Sequence, residues 1–245
     1  MSRHIALVTG GMGGIGTAIC RRLADAGMIV VTTFNRVGKE AAWLEAQAAD
    51  GYHFHAYQAD VTDTAACAAL AARIATELGV VSVLVNNAGI TQDGTFRKME
   101  KTAWDNVLST NLDALYNVTK PLLDAMLETG WGRIINISSI NGQKGQFGQT
   151  NYAAAKAGMH GFTMALAQEV ARKGITVNTI SPGYIGTEMV MAVKEEIRNQ
   201  IIAGIPLGRL GKPEEVAGVV AFLTSQDAAF ITGANIAMNG GQHMA

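Results

Sequence analysis

Short apolar runs alternate with longer amphipathic segments along the whole chain. Seven runs have the length and the content of Val, Ile and aromatic residues that are typical of buried strands: IALVTG, MIVVTTF, YHFHAY, VSVLVNNAG, GRIINIS, GITVNTIS and ANIAMN. The segments between them, such as GTAICRRLADAG and TAACAALAARIATELG, have apolar residues at helical spacing. Because right-handed crossovers return each strand in the same direction, this order predicts a parallel sheet with helices on both faces.

The predicted fold is α/β, a single Rossmann-type domain over residues 1–245 with a doubly wound parallel sheet of about seven strands. Domains of this class reach 245 residues, and no linker rich in Pro, Ser or Gly divides the chain. A closed barrel would also alternate strands with helices, but it would need eight strands. The least regular region, 182–213, is typical of a mobile segment over a site, so we expect a substrate lid at about 184–212.

Composition and charge argue against several classes of protein. The formal net charge is −1, so the chain has no excess of basic residues for binding nucleic acid. Cys20 and Cys67, the only cysteines, lie in helical segments without metal-ligand spacing, so neither a disulfide nor a metal site is expected. The N-terminus lacks the order of a signal peptide, and no apolar run approaches the length of a membrane span. We therefore expect a cytoplasmic protein with no membrane and no nucleic-acid partner.

A glycine-rich turn, TGGMGGIG at 9–16, lies between the first strand run and the first helical segment. Glycines let a backbone turn sharply and approach a pyrophosphate, and the free N–H groups and the dipole at a helix start favour its negative charge. The turn follows the first strand of an alternating chain, and this position favours dinucleotide binding over a plain strand-to-helix turn that merely contains glycines.

The spacing of Gly10, Gly14 and Gly16 resembles the TGxxxGxG fingerprint of the short-chain dehydrogenase/reductase family. Further segments follow in the order found in that family, and they extend the resemblance over residues 5–241: DV at 60–61, NNAG at 86–89, Asn111 and PGYIGT at 182–187. Each segment alone has an ordinary structural explanation, but their common order and spacing do not. The resemblance implies a nicotinamide cofactor held by Gly10, Met12, Gly13, Gly14, Ile15, Gly16, Asp60, Val61, Asn87, Ala88, Gly89, Ile90, Pro182, Gly183, Tyr184, Ile185 and Thr187.

The end of the second strand run discriminates between the two nicotinamide cofactors. An acidic residue there would bind the ribose 2′-OH of NAD and repel a 2′-phosphate, but the sequence TTFNRVGK has none. Asn35 and Arg36 occupy the turn, and the planar guanidinium of Arg36 and the charge of Lys39 suit a phosphate. NADP(H) is therefore the expected cofactor. Both cations are also compatible with a solvated surface, so the use of NAD(H) stays open.

Tyr152 and Lys156 are four residues apart in a helical segment, NYAAAKAGMHGF, so both project from one helix face. An ammonium close to a phenol favours the phenolate, and we therefore expect Lys156 to lower the pKa of Tyr152 from about 10. Such a tyrosine can give a proton to the oxygen of a carbonyl that receives a hydride. A packed ring beside a solvated amine would have the same spacing by chance.

By the resemblance to the family, four residues form the catalytic group: Asn111, Ser139, Tyr152 and Lys156. The resemblance implies that Ser139, with Ser138 beside it, holds the substrate carbonyl oxygen while Tyr152 delivers the proton. It further implies that Tyr152 and Lys156 contact the cofactor, Lys156 at the nicotinamide ribose, and that Asn111 helps to hold a water for proton relay. A hydrolase is a poor fit, because the chain lacks a G-x-S-x-G elbow and no motif pairs its histidines with a serine and a carboxylate.

The segment between Ser139 and Tyr152 indicates the substrate. NGQKGQFGQT, residues 141–150, offers amides, one aromatic ring and flexible backbone rather than an apolar wall for a steroid or a long chain. It resembles the loop of a family of bacterial reductases that act on acetoacetyl-CoA in polyhydroxybutyrate and related polyhydroxyalkanoate synthesis, as do VTGGMGGIGTAIC, ALAQEVA and SPGYIGTEMV. That resemblance implies NADPH-dependent reduction of acetoacetyl-CoA, or another short 3-oxoacyl thioester, to the (R)-3-hydroxyacyl product. The substrate contacts that it implies are Asp93, Ser139, Gln146, Phe147, Gly148, Gln149, Tyr184 and, for the phosphates of CoA, Lys194.

Two other functions stay open. A 3-oxoacyl-[acyl-carrier-protein] reductase shares the motifs and the chemistry but needs a basic rim for an acidic carrier protein. A dinucleotide-binding sensor without turnover would not need the acid–base group. For Lys194, a solvated position in the charged run KEEIRNQ is the alternative.

The resemblance also implies a homotetramer. Helices around 100–127 and 152–172 are expected to pair between subunits, and the final strand is expected to help form another contact. Pro121 is predicted to kink or interrupt the first of these helices, because proline cannot donate a backbone hydrogen bond.

Overall fold

Each of the seven apolar runs forms a strand, and all the strands pair in parallel in one sheet with the order β3-β2-β1-β4-β5-β6-β7. The computed structural model describes residues 3–244. The strands are β1 (Ile5–Val8), β2 (Ile29–Phe34), β3 (His55–Gln58), β4 (Val81–Asn86), β5 (Gly132–Ile137), β6 (Ile175–Pro182) and β7 (Asn235–Met238). The predicted doubly wound sheet is confirmed, and a closed barrel is excluded because the edge strands β3 and β7 do not pair with each other.

The segments between the strands form helices on both faces of the sheet. They are α1 (Gly14–Asp25), α2 (Glu40–Ala49), α3 (Thr64–Glu77), α4 (Lys101–Leu108), α5 (Ala114–Thr129), α6 (Asn141–Lys144), α7 (Thr150–Val170), α8 (Glu188–Met191), α9 (Glu195–Ala203) and α10 (Pro213–Thr224). Helices α1 and α10 pack together on one face, whereas α3, α5 and α7 cover the other. Within residues 3–244, none of the helices combines the length and the hydropathy that crossing a bilayer requires.

Apolar side chains are buried on both faces of the sheet. In β1, Leu7 belongs to the layer beneath α3, α5 and α7, whereas Ala6 and Val8 belong to the layer beneath α1 and α10. Successive strand residues point to opposite faces, so a strand buried on both faces, such as β1, is expected to be apolar at consecutive rather than alternate positions. This explains why the central strands β1 and β4 are visible in the sequence as nearly continuous apolar runs, whereas the edge strands β3 and β7 are partly exposed.

The order of the strands reverses at β1. Val8 lies opposite Thr32 of β2 on one side and Val85 of β4 on the other. The connections that follow β1 and β4 therefore leave the sheet in opposite directions, and a crevice opens between them at the carboxyl ends of the strands. Ligands of open α/β sheets bind in such crevices.

Three helical features differ from the prediction. The helix expected around 100–127 is divided, because a π-helical turn, Ser109–Asp113, separates α4 from α5. Pro121 lies inside α5 and does not interrupt it, since the buried face of α5 continues across it from Val118 to Leu122. The region 182–213 is also more regular than expected, because it contains α8 and α9.

Candidate active site

A cleft of about 910 Å³ opens at the reversal point of the sheet. Its walls come from the turn after β1, the ends of β2 and β3, the segments after β4 and β5, the start of α7 and the segment after β6. The predicted site residues on these walls are Gly10, Gly13, Gly14, Ile15, Gly16, Asn35, Arg36, Asp60, Val61, Asn87, Ala88, Gly89, Ile90, Ser139, Tyr152, Lys156, Pro182, Gly183 and Thr187. The fold thus brings the glycine turn and most of the predicted catalytic group to one cavity.

The glycine turn is packed too tightly for side chains at two positions. A Cβ on Gly16 would lie 2.5 Å from the carbonyl oxygen of Gly10, and a Cβ on Gly11 would lie 2.2 Å from the Thr32 hydroxyl. That hydroxyl accepts a hydrogen bond from the Gly11 N–H at 2.9 Å, and Thr33 accepts one from the Gly10 N–H. The second strand therefore holds the turn in place. Sequence reasoning missed Thr32 and Thr33, since they look like ordinary strand residues.

The start of α1 is suited to a phosphate group. Gly13 precedes the helix without a side-chain cap, and no acidic residue lies in the first turn. The helix has 12 residues, so its N–H groups and its dipole present positive potential to the cleft. The side chain of Thr187 lies across this end, 3.1 Å from where a Cβ on Gly14 would be. These features fit the pyrophosphate of a dinucleotide.

Asn87 supports the glycine turn from the neighbouring strand. Its side-chain amide donates to the carbonyl oxygens of Thr9 and Gly10 at 3.0 and 3.1 Å. The backbone N–H groups of Asn87 and Ala88 both donate to the Thr9 hydroxyl at 3.0 Å. Thr9 therefore joins the ends of β1 and β4, and sequence reasoning missed this role because only the tertiary structure brings the two ends together.

The end of β2 presents a cation to the cleft. Arg36 is exposed, lines the cavity and forms no ion pair with any residue in the range 3–244. Asp60 accepts from the N–H and hydroxyl of Thr62 and from the side chain of Asn35, and these hydrogen bonds hold its pKa below the usual range. Lys39 is exposed just before α2 and lies outside the cavity wall. Met12 also lies outside the cavity wall.

Ser139 and Tyr152 meet in the cleft. Ser139 follows β5, and its hydroxyl oxygen accepts from the backbone N–H of Asn141 at 3.1 Å. Burial raises the pKa of Tyr152, and a hydrogen bond with Ser139 partly offsets this effect. The side chain of Tyr152 is therefore a neutral phenol at neutral pH.

Lys156 is buried beside Tyr152, and no carboxylate within residues 3–244 forms an ion pair with it. Its ammonium donates to the carbonyl oxygen of Ile137 at 2.8 Å and lies 5.5 Å from the centroid of the Tyr152 ring. Burial lowers the pKa of Lys156 to about 7. The expectation that Lys156 lowers the pKa of Tyr152 is wrong for this structure, because burial of the phenol raises its pKa and the opposing effect comes from Ser139 rather than from Lys156.

Asn111 lies behind the cleft wall in the π-helical turn. Its side chain accepts from the N–H of Ile90 and donates to the carbonyl oxygens of Ile90 and Val107. A Cβ on Gly89 would lie 2.4 Å from the Asn111 oxygen and 3.5 Å from the Lys156 nitrogen. Asn111 therefore fixes the backbone next to Lys156. Such π-helical turns often mark functional positions.

Of the predicted substrate residues, Ser139 is on the cleft wall, whereas Asp93, Gly148 and Gln149 lie outside it, in a region that we call the mouth of the cleft. The side chain of Asn141 donates to Gln149 at 2.9 Å, and that of Gln149 donates to Asp93 at 2.8 Å. The N–H of Gly94 donates to the carbonyl oxygen of Gly148, so two hydrogen bonds join this loop to the segment after β4.

Four predicted substrate residues take no part in these hydrogen bonds. The side chain of Gln146 accepts a hydrogen bond from the nearby Lys144, and Phe147 is 87% exposed. Lys194 is exposed before α9. Tyr184, together with Ile185 from the predicted cofactor group, lines a second cavity of about 220 Å³.

Comparisons with known proteins agree with these features. A family model described as short chain dehydrogenase matches residues 4–198. An acetoacetyl-CoA reductase of Cupriavidus necator is 56% identical over 245 residues, which cover 100% of both chains. Nodulation protein G of Azospirillum brasilense is 55% identical over 98% of each chain. A 3-oxoacyl-[acyl-carrier-protein] reductase of Pseudomonas aeruginosa is 45% identical over 98% of this chain and 97% of its own.

The contact between α6 and α7 predicts a steric effect. A Cβ on Gly142 would lie 2.8 Å from the backbone carbon of Lys156 and 2.9 Å from the nitrogen of Ala157, so Gly142→Ala must displace α6 from α7. A Cβ on Gly161 of the same α7 meets nothing within 4 Å. We expect Gly142→Ala to lower the thermal unfolding midpoint and Gly161→Ala, which adds about 1 kcal/mol of helix propensity, to maintain or raise it. Equal midpoints would contradict this packing.

The lowered pKa of Lys156 predicts a pH dependence of stability. Between about pH 7 and the usual lysine pKa of 10.5, the unfolded chain binds a proton that the folded chain does not. The destabilising effect of Lys156 is therefore complete below pH 7 and fades as the pH rises toward 10.5. In urea unfolding, the stability of Lys156→Met relative to the wild type should fall as the pH rises through this window. The exposed Lys120→Met is the control, and a constant difference for Lys156→Met would refute the lowered pKa.

Proposed function

The chain belongs to the short-chain dehydrogenase family, and on this premise we propose that it reduces acetoacetyl-CoA to (R)-3-hydroxybutyryl-CoA with NADPH. The observation that carries the proposal is the meeting of an uncapped helix start with Ser139, Tyr152 and Lys156 in one cleft. We assign the substrate by similarity to the acetoacetyl-CoA reductases. The sequence identity is 56% with the acetoacetyl-CoA reductase of C. necator and 45% with the carrier-protein reductase of P. aeruginosa. The product would supply polyhydroxybutyrate synthesis.

The residues of the cleft would hold a nicotinamide cofactor along its length. The start of α1 would bind the pyrophosphate, Asp60 and Val61 would contact the adenine, and Lys156 would contact the nicotinamide ribose. Thr187, which lies across the start of α1, would bind the carboxamide. When bound, the cofactor supplies the hydride.

Ser139 and Tyr152 act on the oxygen of the substrate carbonyl. Ser139 would donate a hydrogen bond from its hydroxyl group to that oxygen. Tyr152 then transfers its phenolic proton as negative charge develops on the oxygen. The raised pKa of Tyr152 keeps the phenol protonated before reaction, which suits the direction of reduction. Lys156, whose pKa is near neutral, can exchange a proton at physiological pH.

The preference for NADP(H) rests on Arg36. Its guanidinium is exposed on the cleft wall at the end of β2, where the chain has no acid to bind a ribose 2′-OH. A planar guanidinium can bind the 2′-phosphate with two hydrogen bonds. Lys39 adds positive charge from the start of α2 at longer range.

Substitution of Arg36 tests this preference. We expect Arg36→Ala to raise KM for NADPH by about 10-fold, as loss of a charge-assisted contact of about 1.5 kcal/mol would, and to leave KM for NADH nearly unchanged. Arg172→Ala, which removes an exposed arginine remote from the cleft, is the matched control. Equal effects of Arg36→Ala on the two cofactors would remove Arg36 from 2′-phosphate recognition.

The mouth of the cleft would recognise the thioester. Asp93, Gly148 and Gln149 form a polar rim joined by hydrogen bonds, and Phe147 is exposed beside them. The region 184–212, which carries α8 and α9, would act as the lid, with Lys194 near the phosphates of CoA. Met189 lines the cleft and is 76% exposed, so it is free to contact a ligand.

A homotetramer is part of the proposal. The exposed side chains of Tyr116 on α5 and Met164 on α7 give these helices apolar surface for pairing between subunits, and Phe230 before the edge strand β7 is fully exposed. A cytoplasmic location is also part of it. Cys20 and Cys67 are free and buried, which is compatible with a reducing compartment.

Turnover measurements test the reaction and the substrate together. Purified protein should oxidise NADPH faster with acetoacetyl-CoA than with acetoacetyl-carrier protein, followed by nicotinamide absorbance. Tyr152→Phe should retain NADPH binding but lose about 100-fold or more in kcat, because it removes the acid. Tyr52→Phe, which lies outside the cleft, is its control. Faster turnover of the carrier-bound substrate would favour the second candidate, and no turnover of either would favour a sensor.

A further inference from the structure

His160 lies between two serine hydroxyl groups under the cleft. It is one turn after Lys156 on α7, and its Nε2 is 3.1 Å from the Oγ of Ser138 and 3.3 Å from the Oγ of Ser181. Ser138 follows β5, and Ser181 is near the end of β6. One imidazole nitrogen therefore joins a helix to two neighbouring strands.

The hydrogen-bond partners of the serines determine the state of that nitrogen. Ser138 donates to the carbonyl oxygen of Lys156 at 2.8 Å, and Ser181 donates to the side-chain oxygen of Asn235 at 2.7 Å. A hydroxyl group has one proton, so both serine oxygens can only accept from His160. The Nε2 of His160 must therefore carry a hydrogen and donate it to the two oxygens.

The residues that His160 joins carry the active site. Ser138 is the neighbour of Ser139, and its hydroxyl holds the backbone of Lys156. Ser181 precedes Pro182, whose carbonyl oxygen accepts from the N–H of Ile140 at 2.8 Å. A shift at His160 would therefore move the catalytic serine, the lysine and the segment after β6 relative to one another.

We propose that His160 is a positioning residue for the reduction, because its Nε2–H donor fixes Ser138 and Ser181 and so sets the spacing of Ser139, Lys156 and Pro182. The proposal rests on the proposed reductase function. Within residues 3–244, His160 forms no hydrogen bond with the side chains of Ser139, Tyr152 or Lys156, so it acts through its neighbours. Small errors in the placement of such groups are costly, since a displacement of about 1 Å can lower a rate about 100-fold.

Replacement of the donor separates positioning from folding. His160→Leu keeps a similar volume without a donor, whereas His160→Gln offers an amide with two N–H groups to the two serines. We expect His160→Leu to lower kcat by about 10-fold while KM for the thioester and Kd for NADPH stay within about twofold, and His160→Gln to recover most of kcat. His53→Leu, at an exposed position, is the matched control.

A double-mutant cycle provides a second readout. Ser181→Ala should lower kcat less in the His160→Leu background than in the wild type, because the hydrogen bond between the two residues is already lost. If His160→Leu does not fold, the proposal is tested with His160→Gln and Ser181→Ala alone. A near-normal kcat of His160→Gln together with a reduced kcat of Ser181→Ala would support it.

Two results would overturn the proposal. Unchanged kcat in His160→Leu would show that the donor is not needed. A parallel loss of kcat, NADPH affinity and thermal stability without rescue by glutamine would make His160 a general structural residue. All rates are compared with the thioester that the wild type reduces fastest, so an error in the substrate assignment leaves this comparison intact.

Discussion

The site depends on the position of β1 between β2 and β4. Because the chain leaves β1 and β4 in opposite directions, their carboxyl ends flank one crevice, and the glycine turn lies on its edge. The hydroxyl group of Thr9 accepts from two N–H groups after β4, and Thr32 and Thr33 accept from the turn itself. Strand pairing thus fixes the turn from both sides, and α1 begins with free N–H groups directed at the crevice.

Burial determines the protonation of the acid–base pair. The pKa of Tyr152 is raised and that of Lys156 is lowered, because removal from water disfavours the charged form of each. Both groups are therefore held nearer to neutrality than they would be in water. A neutral phenol beside Ser139 is ready to donate, and a lysine with a pKa near 7 changes protonation easily. Lys156 is held by the carbonyl oxygen of Ile137 rather than by a carboxylate, so its charge is not stabilised by an ion pair.

The burial of the side chains decreases from the catalytic end of the cleft to its mouth. Lys156 and Ser139 are buried, and close backbone contact at Gly142 fixes α6 against α7. Farther out, Asn141, Gln149 and Asp93 are connected by side-chain hydrogen bonds, and beyond them Phe147 is exposed. The chemistry is thus placed on packed elements, whereas the residues suited to recognising different thioesters lie on a polar loop that can change without disturbing the core.

The sequence by itself determined the seven strands, their parallel arrangement, the glycine turn and the Tyr152–Lys156 pair, because these features depend on local periodicity and on spacing within one element. It could not show that α4 and α5 are separated at Asn111, that α5 continues through Pro121, or that Thr9 joins β1 to β4. Nor could it give the direction of the pKa shift of Tyr152. Each of these was decided by the tertiary structure, since burial and hydrogen bonds between residues distant in sequence exist only once the chain has folded.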